Sequence, residues 1–387
     1  MKSVKLGEIG KIITGCTPST KKSEYYADNK YMFVGPSDIK KVMYVVSSEK
    51  NISEKAFEDY KNRFIEENSI VVDCIGSDMG NVAIVKSKCL TNQQINAITN
   101  IDEEYYNIKY IYYVLSTMKK YFHLIGTNGS TMPILNKTMF ENMEVEIPKI
   151  EIQNKIAKIL SKLDDKIKLN NEINNNLYEM CNVIYHQLLD DNESNIEYKT
   201  IGEIAKKVIN GKTPSTKNKE YWGGNIPFIT IPDMHNQVFT INTERYITKE
   251  GAKSLIPKNS ISVSCIATVG LVSINDKDSQ TNQQINSIVI ENDYDLYYLF
   301  EFLTEQEQYM KSIAGGSTTY NINKNTFENI QVPYLNKELI IEYDKKVRPM
   351  FEKIKSNQIS NDTLSQLRDI LLPKLMNGEI DLDNIEI

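Results

Sequence analysis

The feature that most constrains the fold of this chain is an internal duplication. The segment TNQQIN occupies Thr91–Asn96 and recurs letter for letter at Thr281–Asn286. Further segments recur around it in the same order: GCTPSTKKSEYY at Gly15–Tyr26 as GKTPSTKNKEYW at Gly211–Trp222, CIGSDMGNVAIV at Cys74–Val85 as CIATVGLVSI at Cys265–Ile274, and GSTMPILNKTMFEN at Gly129–Asn142 as GSTTYNINKNTFEN at Gly316–Asn329. An ordered series of repeats indicates a duplicated structural unit. The sequence therefore predicts two related globular domains, one in each half of the chain.

Each globular part is followed by a long stretch with helical periodicity. The first, Ile150–Leu189, contains neither Gly nor Pro and predicts a helix of 40 residues, roughly 60 Å long at 1.5 Å per residue. With Ile156 as an a position, the a series is Ile156, Leu163, Asn170, Leu177 and Ile184, and the d series is Ile159, Lys166, Ile173, Met180 and Gln187. This heptad pattern, polar at its middle, predicts a coiled coil.

A second helical stretch covers about residues 338–376. Its apolar face comprises Val347, Met350, Ile354, Leu364, Leu371 and Leu375, with Asn357 and Asn361 as polar interruptions. Pro349 predicts a kink or a late start, and fraying is expected after Pro373, before Asn377-Gly378 ends the helix. Neither helix can bury its apolar stripe alone. Intramolecular antiparallel pairing is therefore expected, with a homodimeric zipper as the alternative.

The globular parts mix β-branched runs with turn residues, and each contains one predicted amphipathic helix, at Tyr105–Ile125 and Tyr294–Ile313. The predicted fold class is α+β: two tandem-repeat globular domains of mixed helix and strand, separated by two long helices packed as an antiparallel coiled coil. The predicted boundaries are 1–149 for the first domain, 150–190 for its helix, 191–336 for the second domain, 337–378 for the second helix and 379–387 for a tail.

Composition argues against several functional classes. The chain is 41% hydrophobic and 25% charged, and without an apolar run of membrane-spanning length it is expected to be cytosolic. The net charge of −6 does not suggest a polybasic nucleic-acid binder, so any DNA contact requires a local basic face or a partner that supplies positive charge. The three His and five Cys have no metal-ligand spacing, and no nucleotide-binding, methyltransferase or nuclease motif was found. We therefore expect a non-catalytic protein.

Two similar modules held apart by a rigid spacer suit the recognition of a two-part linear target such as duplex DNA. The repeated motifs are rich in Asn, Gln, Ser, Thr and Lys, which contact base edges and phosphates. The modules differ where VGPSDIKKVMYV at Val34–Val45 faces ITIPDMHNQVFT at Ile229–Thr240, as expected for two readers of different half-sites. Two alternatives remain open: TNQQIN could simply hold a buried turn, and the divergence could be ordinary surface drift.

The order of these motifs resembles the specificity (S) subunit of type I restriction-modification systems. The resemblance rests on G-x-TPS followed by YY or YW, on TNQQIN, on GST followed by an aromatic-Glu-Asn run, and most specifically on the tails, IQNKIAKILSKLDDKI in the first and LRDILLPKLMNGEI at Leu367–Ile380 in the second. It implies two target recognition domains that each read half of a bipartite, gapped DNA site. It also implies two modification (M) subunits that bind S-adenosylmethionine and methylate adenine at N6, and restriction (R) subunits that use ATP and Mg. On this chain itself no cofactor is expected.

The motifs also suggest contact residues. Candidates for base or near-base contacts are Asp38, Lys40, Lys41, Asp233, His235, Asn236 and Gln237. Candidates for phosphate contacts are Thr17, Ser19, Lys21, Lys22, Thr213, Ser215, Lys217, Ser130 and Ser317. Rival hypotheses are a coiled-coil scaffold or decoy subunit without productive methylation, and a self-sufficient methyltransferase or nuclease, which the missing motifs disfavour.

Overall fold

The structure, a computed structural model, describes residues 1–40, 42–76, 78–127, 133–235, 237–315 and 320–382. The elements of the first half are β1 (Lys2–Lys5), α1 (Leu6–Ile9), β2 (Lys11–Thr14), β3 (Tyr31–Val34), β4 (Tyr44–Val45), β5 (Lys50–Ile52), α2 (Glu54–Tyr60), β6 (Ile70–Asp73), β7 (Val82–Val85), β8 (Cys89–Thr91), β9 (Ile95–Thr99), α3 (Ile108–Thr117), α4 (Lys119–Gly126), α5 (Lys137–Glu141), β10 (Glu144–Ile147) and α6 (Ile150–Asp191).

The second half repeats this order with three exceptions. Its elements are β11 (Glu197–Thr200), α7 (Ile201–Ile204), β12 (Ala205–Asn210), β13 (Trp222–Ile229), α8 (Ile231–Met234), β14 (Phe239–Thr240), β15 (Arg245–Ile247), β16 (Leu255–Ile256), β17 (Ile261–Ser264), β18 (Val272–Asn275), β19 (Ser279–Thr281), β20 (Ile285–Ile290), α9 (Asp295–Thr304), α10 (Glu307–Ile313), α11 (Lys324–Glu328), β21 (Gln331–Tyr334) and α12 (Lys337–Met376). Among its described residues it has no counterpart of α2, and it adds α8 and β16.

The large sheets of the two halves correspond strand by strand, and the smaller sheet of the second half has one additional strand, β16. The five-stranded sheets have the orders β2-β9-β6-β7-β4 and β12-β20-β17-β18-β14. The smaller sheets are β5-β3-β8 and β15-β13-β19-β16, in which β3 pairs parallel to β8 and β13 pairs parallel to β19. Each half also has one two-stranded pair, β1-β10 or β11-β21. This confirms the mixed helix and strand fold and its duplication.

The apolar strand runs are explained by burial on both faces of the five-stranded sheet. Along β6, Ile70 and Val72 pack in a cluster with α3, whereas Val71 packs in a separate cluster with Val34 of the smaller sheet. Successive side chains of a strand point to opposite faces, so a strand between two layers buries both of its faces and is apolar at consecutive positions. The smaller sheet therefore covers one face of the larger sheet, and the helices cover the other.

The chain divides into two compact units, Met1–Asp165 with Gln366–Ile387, and Lys166–Ser365. Each unit contains one portion of α6 and one portion of α12. The two long helices predicted from the sequence are present, whereas the predicted domain boundaries stay a prediction.

The structure corrects the prediction of a single amphipathic helix in each domain. There are two helices in each place, α3 and α4 or α9 and α10. At Met118 and at Glu305–Gln306 the backbone amides bond to carbonyls three residues back, which marks the end of the first helix. The predicted amphipathic character is also wrong for α9, since Asp295–Leu303 are all buried.

Burial along α6 follows the predicted heptad pattern only in part. Ile156 and Asn170 are buried, but Met180 is 51% exposed and Cys181 is buried in its place. A straight helix of 3.6 residues per turn drifts by about 20° per heptad from a 3.5-residue repeat. After several heptads, the buried face has moved by nearly one residue.

The late start expected at Pro349 is also wrong, because α12 begins at Lys337 and continues through the proline. Pro349 is on the exposed side of the helix. The carbonyl that loses its amide partner there can be hydrated, which reduces the cost of an internal proline.

Asparagine side chains join the two long helices within the second unit. Asn170 Nδ2 donates to Asn361 Oδ1 at 2.8 Å, and Asn357 Nδ2 donates to Asn174 Oδ1 at 2.8 Å. The polar residues that interrupt both predicted seams therefore satisfy one another, as buried amides require. In the first unit, Arg368 Nη1 donates to Asp164 Oδ1 at 2.7 Å, while the Tyr113 hydroxyl donates to Asp164 Oδ2 at 2.5 Å.

One buried carboxyl group lacks such partners. Glu301, on α9, is fully buried, and neither carboxylate oxygen has a hydrogen-bond partner among the described residues. Desolvation by burial raises the pKa of Glu301 to about 8, although Asn182 and Tyr178 of α6 favour its charged form. The corresponding seventh residue of α3 is Val114. The second half thus contains a carboxyl group that is protonated at neutral pH.

We expect Glu301→Gln to stabilise the second unit at pH 8. Between the ordinary pKa of about 4.5 and the folded value of about 8, the folded chain holds a proton that the unfolded chain has lost, so stability falls as pH rises through this window. The variant cannot titrate and should gain roughly 2–4 kcal/mol relative to wild type between pH 5 and pH 8, at about 1.4 kcal/mol per pH unit. Denaturant unfolding across this range measures the difference. Glu307→Gln, at an exposed position, serves as a control, and parallel profiles for wild type and Glu301→Gln would contradict the assignment.

Candidate nucleic-acid interface

Two repeated segments and one divergent segment converge at the same place in each half. The turn that follows β8 connects the smaller sheet to β9 of the larger one, and Asn92 N–H donates to Val34 O at 3.1 Å, at the end of β3. In the second half, Asn282 N–H donates to Ile229 O at 3.1 Å. The G-x-TPS segment approaches from β2 or β12. The TNQQIN turn, the G-x-TPS loop and the divergent loop that follows β3 or β13 are therefore neighbours in each half.

The glycine of each G-x-TPS segment contacts the turn directly. A Cβ atom on Gly15 would lie 2.1 Å from Asn92 O, and one on Gly211 would lie 2.1 Å from Asn282 O. The next residue donates its N–H to the same turn, Cys16 to Thr91 O and Lys212 to Thr281 O, both at 2.9 Å. Since no side chain fits there, glycine is required by close backbone approach.

Two of the polar residues of TNQQIN hold the turn itself. Asn92 Oδ1 accepts from Gln94 N–H at 3.0 Å, and Asn92 Nδ2 donates to Gln94 Oε1 at 3.0 Å. Asn282 and Gln284 repeat both contacts at 3.0 Å. For these residues the structural interpretation of the motif accounts for the repeat.

The final asparagine of the motif is also engaged within the chain. Asn96 accepts from Thr14 Oγ1 at 2.6 Å and donates to Leu135 O at 3.0 Å. Asn286 accepts from Asn210 Nδ2 at 3.0 Å and contacts Cys265 Sγ at 3.3 Å. Both amides are buried.

The first glutamine of the motif behaves differently. Gln93 and Gln283 are exposed, and each accepts one hydrogen bond through Oε1, from Thr17 Oγ1 at 2.6 Å and from Thr213 Oγ1 at 2.5 Å. This contact leaves the amide Nε2 donor directed away from the threonine. Neither glutamine is among the contact residues predicted from the sequence, although their identical recurrence was the available signal.

The two aspartates predicted to contact bases hold their loops in the same way. Asp38 accepts from Gly35 N–H at 2.7 Å and from Glu49 N–H at 2.9 Å. Asp233 accepts from Thr230 N–H at 2.8 Å and from Glu244 N–H at 2.9 Å. These bonds explain why this one residue matches between otherwise divergent loops. Base contact by either aspartate stays a prediction.

The other predicted contact residues fall into three groups. Lys40 pairs with Asp78 at 2.8 Å, and Lys40 with Lys119 lowers the pKa of Asp78 to about 2. Lys22 Nζ donates to the Tyr25 hydroxyl at 3.1 Å, and Gln237 Nε2 donates to Asp233 O. The exposed side chains of Ser19, Lys21, Ser215, Lys217 and His235 have no partner within the described part of the chain. Lys41, Ser130, Asn236 and Ser317 lie outside the described residues.

The described residues contain no group of three or more His, Cys, Asp or Glu side chains that could hold a metal ion. Within the same ranges, no helix has the length and apolar character needed to cross a membrane.

The two halves of the chain therefore carry the same fold and the same set of convergent polar loops. The family model described as "Type I restriction modification DNA specificity domain" matches residues 1–179 and 193–367, and the chain belongs to this family.

Two similar proteins bear the name of type I restriction enzyme specificity subunits. The type I restriction enzyme HindI specificity subunit of Haemophilus influenzae is 35% identical over 341 residues, covering 67% of this chain and 74% of that protein. The MjaIX specificity subunit of Methanocaldococcus jannaschii is 28% identical over 98% of this chain and 94% of its own. The crystal structure of the type I restriction-modification S subunit from M. genitalium shares the fold, with a TM-score of 0.59 at 16% identity over 97% of this chain and 95% of that chain.

We expect Gly15→Ala to destabilise the first unit because the new Cβ atom would overlap Asn92 O. The cost should reach the upper end of the roughly 1–3 kcal/mol seen for overpacking. Gly35→Ala is the matched control, since a Cβ atom there would meet no atom closer than 3.7 Å. Denaturant unfolding compares the two variants, and equal midpoints would show that the close approach is not a constraint.

Proposed function

We propose that this chain is the DNA-specificity subunit of a type I restriction-modification complex, and that each half reads one part of a bipartite, gapped site. The observation that carries the proposal is the juxtaposition, in both halves, of an identical loop framework with a divergent loop. A shared framework fixes how DNA is approached, and the different side chains beside it discriminate between bases.

The divergent loops supply candidates for base recognition. His235 is exposed at the end of α8, and Lys40 is about half exposed in its pair with Asp78. Both types of side chain can reach base edges in the major groove. We include Asp38, Asp233 and Gln237 as residues that shape these loops. Their oxygen atoms keep lone pairs that can accept a further hydrogen bond from a base.

The long helices serve, in this proposal, as an antiparallel coiled-coil spacer between the two recognition domains. Three contacts between α6 and α12 in the second unit support it: Asn170 with Asn361, Asn174 with Asn357, and Cys181 with Met350. The position on α12 falls as the position on α6 rises, as antiparallel pairing requires. Two readers on a fixed spacer would fix the length of the gap in the target.

The chemistry is assigned to partner subunits. Two modification subunits would bind S-adenosylmethionine and methylate adenine at N6, and restriction subunits, where they assemble, would use ATP and Mg. The net charge of −6 is consistent with this division, because a partner can supply the positive charge that DNA binding needs. Since its substrate would be cellular DNA, we place the complex in the cytoplasm.

A methylation map tests the proposal. The chain is co-expressed with its cognate modification subunit in a host without adenine methylation, and N6-methyladenine is located by long-read sequencing. A single gapped motif with two unlike parts is expected. A palindromic motif would mean that one domain reads twice. An intact complex without methylation would favour a decoy or scaffold.

We expect His235→Ala to relax the base preference in one part of that motif and to leave the other part unchanged. The reason is that each half would contact only its own half-site, and one lost base contact costs roughly 1–3 kcal/mol of discrimination. The same methylation map measures it. Equal changes in both parts would show that His235 is not a base contact.

A further inference from the structure

We propose that Gln93 and Gln283, each held by a threonine, form a phosphate clamp used twice, which binds the DNA backbone without reading sequence. This inference rests on the proposed function, because it assigns a role within the same interface.

The presence of glutamine at both position 93 and position 283 is not needed for folding. The turn is held by Asn92 with Gln94 and by Asn282 with Gln284, as described above. By contrast, Gln93 and Gln283 are exposed, and their only side-chain contacts in the described part of the chain are those from Thr17 and Thr213. Folding alone would allow other polar residues at these positions.

The surface around each glutamine carries further exposed hydrogen-bond donors. The TPSTK segment that carries the threonine is identical in both halves, and Ser19, Thr20 and Lys21 expose side chains that have no partner within the described ranges. Ser215, Thr216 and Lys217 repeat this arrangement. Hydroxyl, ammonium and amide donors together suit an anion with several acceptor oxygens.

Because the threonine-held glutamine and the TPSTK segment are the same in both halves, we expect both copies to contact the same chemical group. The divergent loops start beside the turn, since Asn92 N–H bonds to Val34 O and Asn282 N–H bonds to Ile229 O. If those loops read different bases, an unchanged surface next to them must contact what both half-sites share. In duplex DNA that shared feature is the phosphodiester backbone.

The threonine determines which end of the amide is presented. A hydroxyl that donates to Oε1 fixes the carboxamide so that Nε2, a donor, is available to the ligand. Thr17 and Thr213 are therefore positioning residues, whereas the glutamine amides make the contact.

The test uses the complex of this chain with its modification subunits. The probe is a duplex that carries the motif found by the methylation map, labelled for fluorescence anisotropy. We expect Gln93→Ala and Gln283→Ala each to weaken binding by about 5-fold, and the double variant by about 20-fold, as for the loss of one solvent-exposed hydrogen bond in each half-site. The methylated motif should not change. Thr17→Val should weaken binding by about 2-fold, because the amide is retained but is no longer held.

Two further measurements identify the ligand as phosphate. Glutamine is neutral, so its loss should leave the salt dependence of binding unchanged, whereas Lys21→Ala and Lys217→Ala should each reduce the slope of log K against log salt by about 1. In a set of duplexes with single neutral methylphosphonates, wild type should lose affinity at one phosphate in each half-site that the corresponding glutamine variant tolerates.

The control variant is Gln308→Ala, which removes an exposed glutamine of α10 that has no counterpart in the repeated motif. Affinity equal to this control in the double variant would overturn the inference. So would a change of base preference, which would indicate base contact, or weaker assembly with modification subunits at unchanged DNA affinity, which would indicate a protein ligand. If wild type yields no two-part motif, the proposed function fails instead, so the two failures are distinguishable.

Discussion

The close approach of a glycine to the TNQQIN turn is the constraint on which each recognition domain depends. Gly15 follows a strand of the larger sheet, and the turn connects the smaller sheet to the larger one. With Asn92 O only 2.1 Å from a hypothetical Cβ atom, the two backbones are in direct contact. This contact fixes the edge where the sheets meet, and it brings the polar loops of the interface together. Gly211 and Asn282 do the same in the second half.

The arrangement separates framework from variation within a few residues. Asn92, Gln94 and Asp38 are engaged with their own chain, so they keep the loops in place whatever lies beside them. The residues after Asp38 and after Asp233 differ between the halves, and the exposed side chain of His235 among them has no partner in the described part of the chain. A protein that must recognise two unlike half-sites with one architecture needs this separation, because changes in the variable loops then leave the fold intact.

The long helices show how a polar contact can specify a pairing. Asn170 and Asn174 are buried and meet asparagines of the other helix. A buried amide is costly when unpaired, so a shifted register would leave these groups unsatisfied. Glu301 is the opposite case, a buried carboxyl group whose protonation relieves the cost. Its counterpart Val114 shows that the fold does not require an acid there.

The sequence by itself determined the duplication, the mixed fold, the two long helices and the family, because ordered repeats and helical periodicity depend on residue order alone. It also placed polar interruptions at Asn170 and Asn361, without showing that these side chains meet. Only the tertiary structure decided which polar motif residues are free: Asn92 and Gln94 satisfy each other, whereas Gln93 remains exposed beside Thr17. Local patterns could not predict that Met180 is exposed and Cys181 buried, since the helical drift accumulates over many turns. Nor could they predict that Glu301 is buried, because burial of α9 depends on elements that surround it from distant parts of the chain.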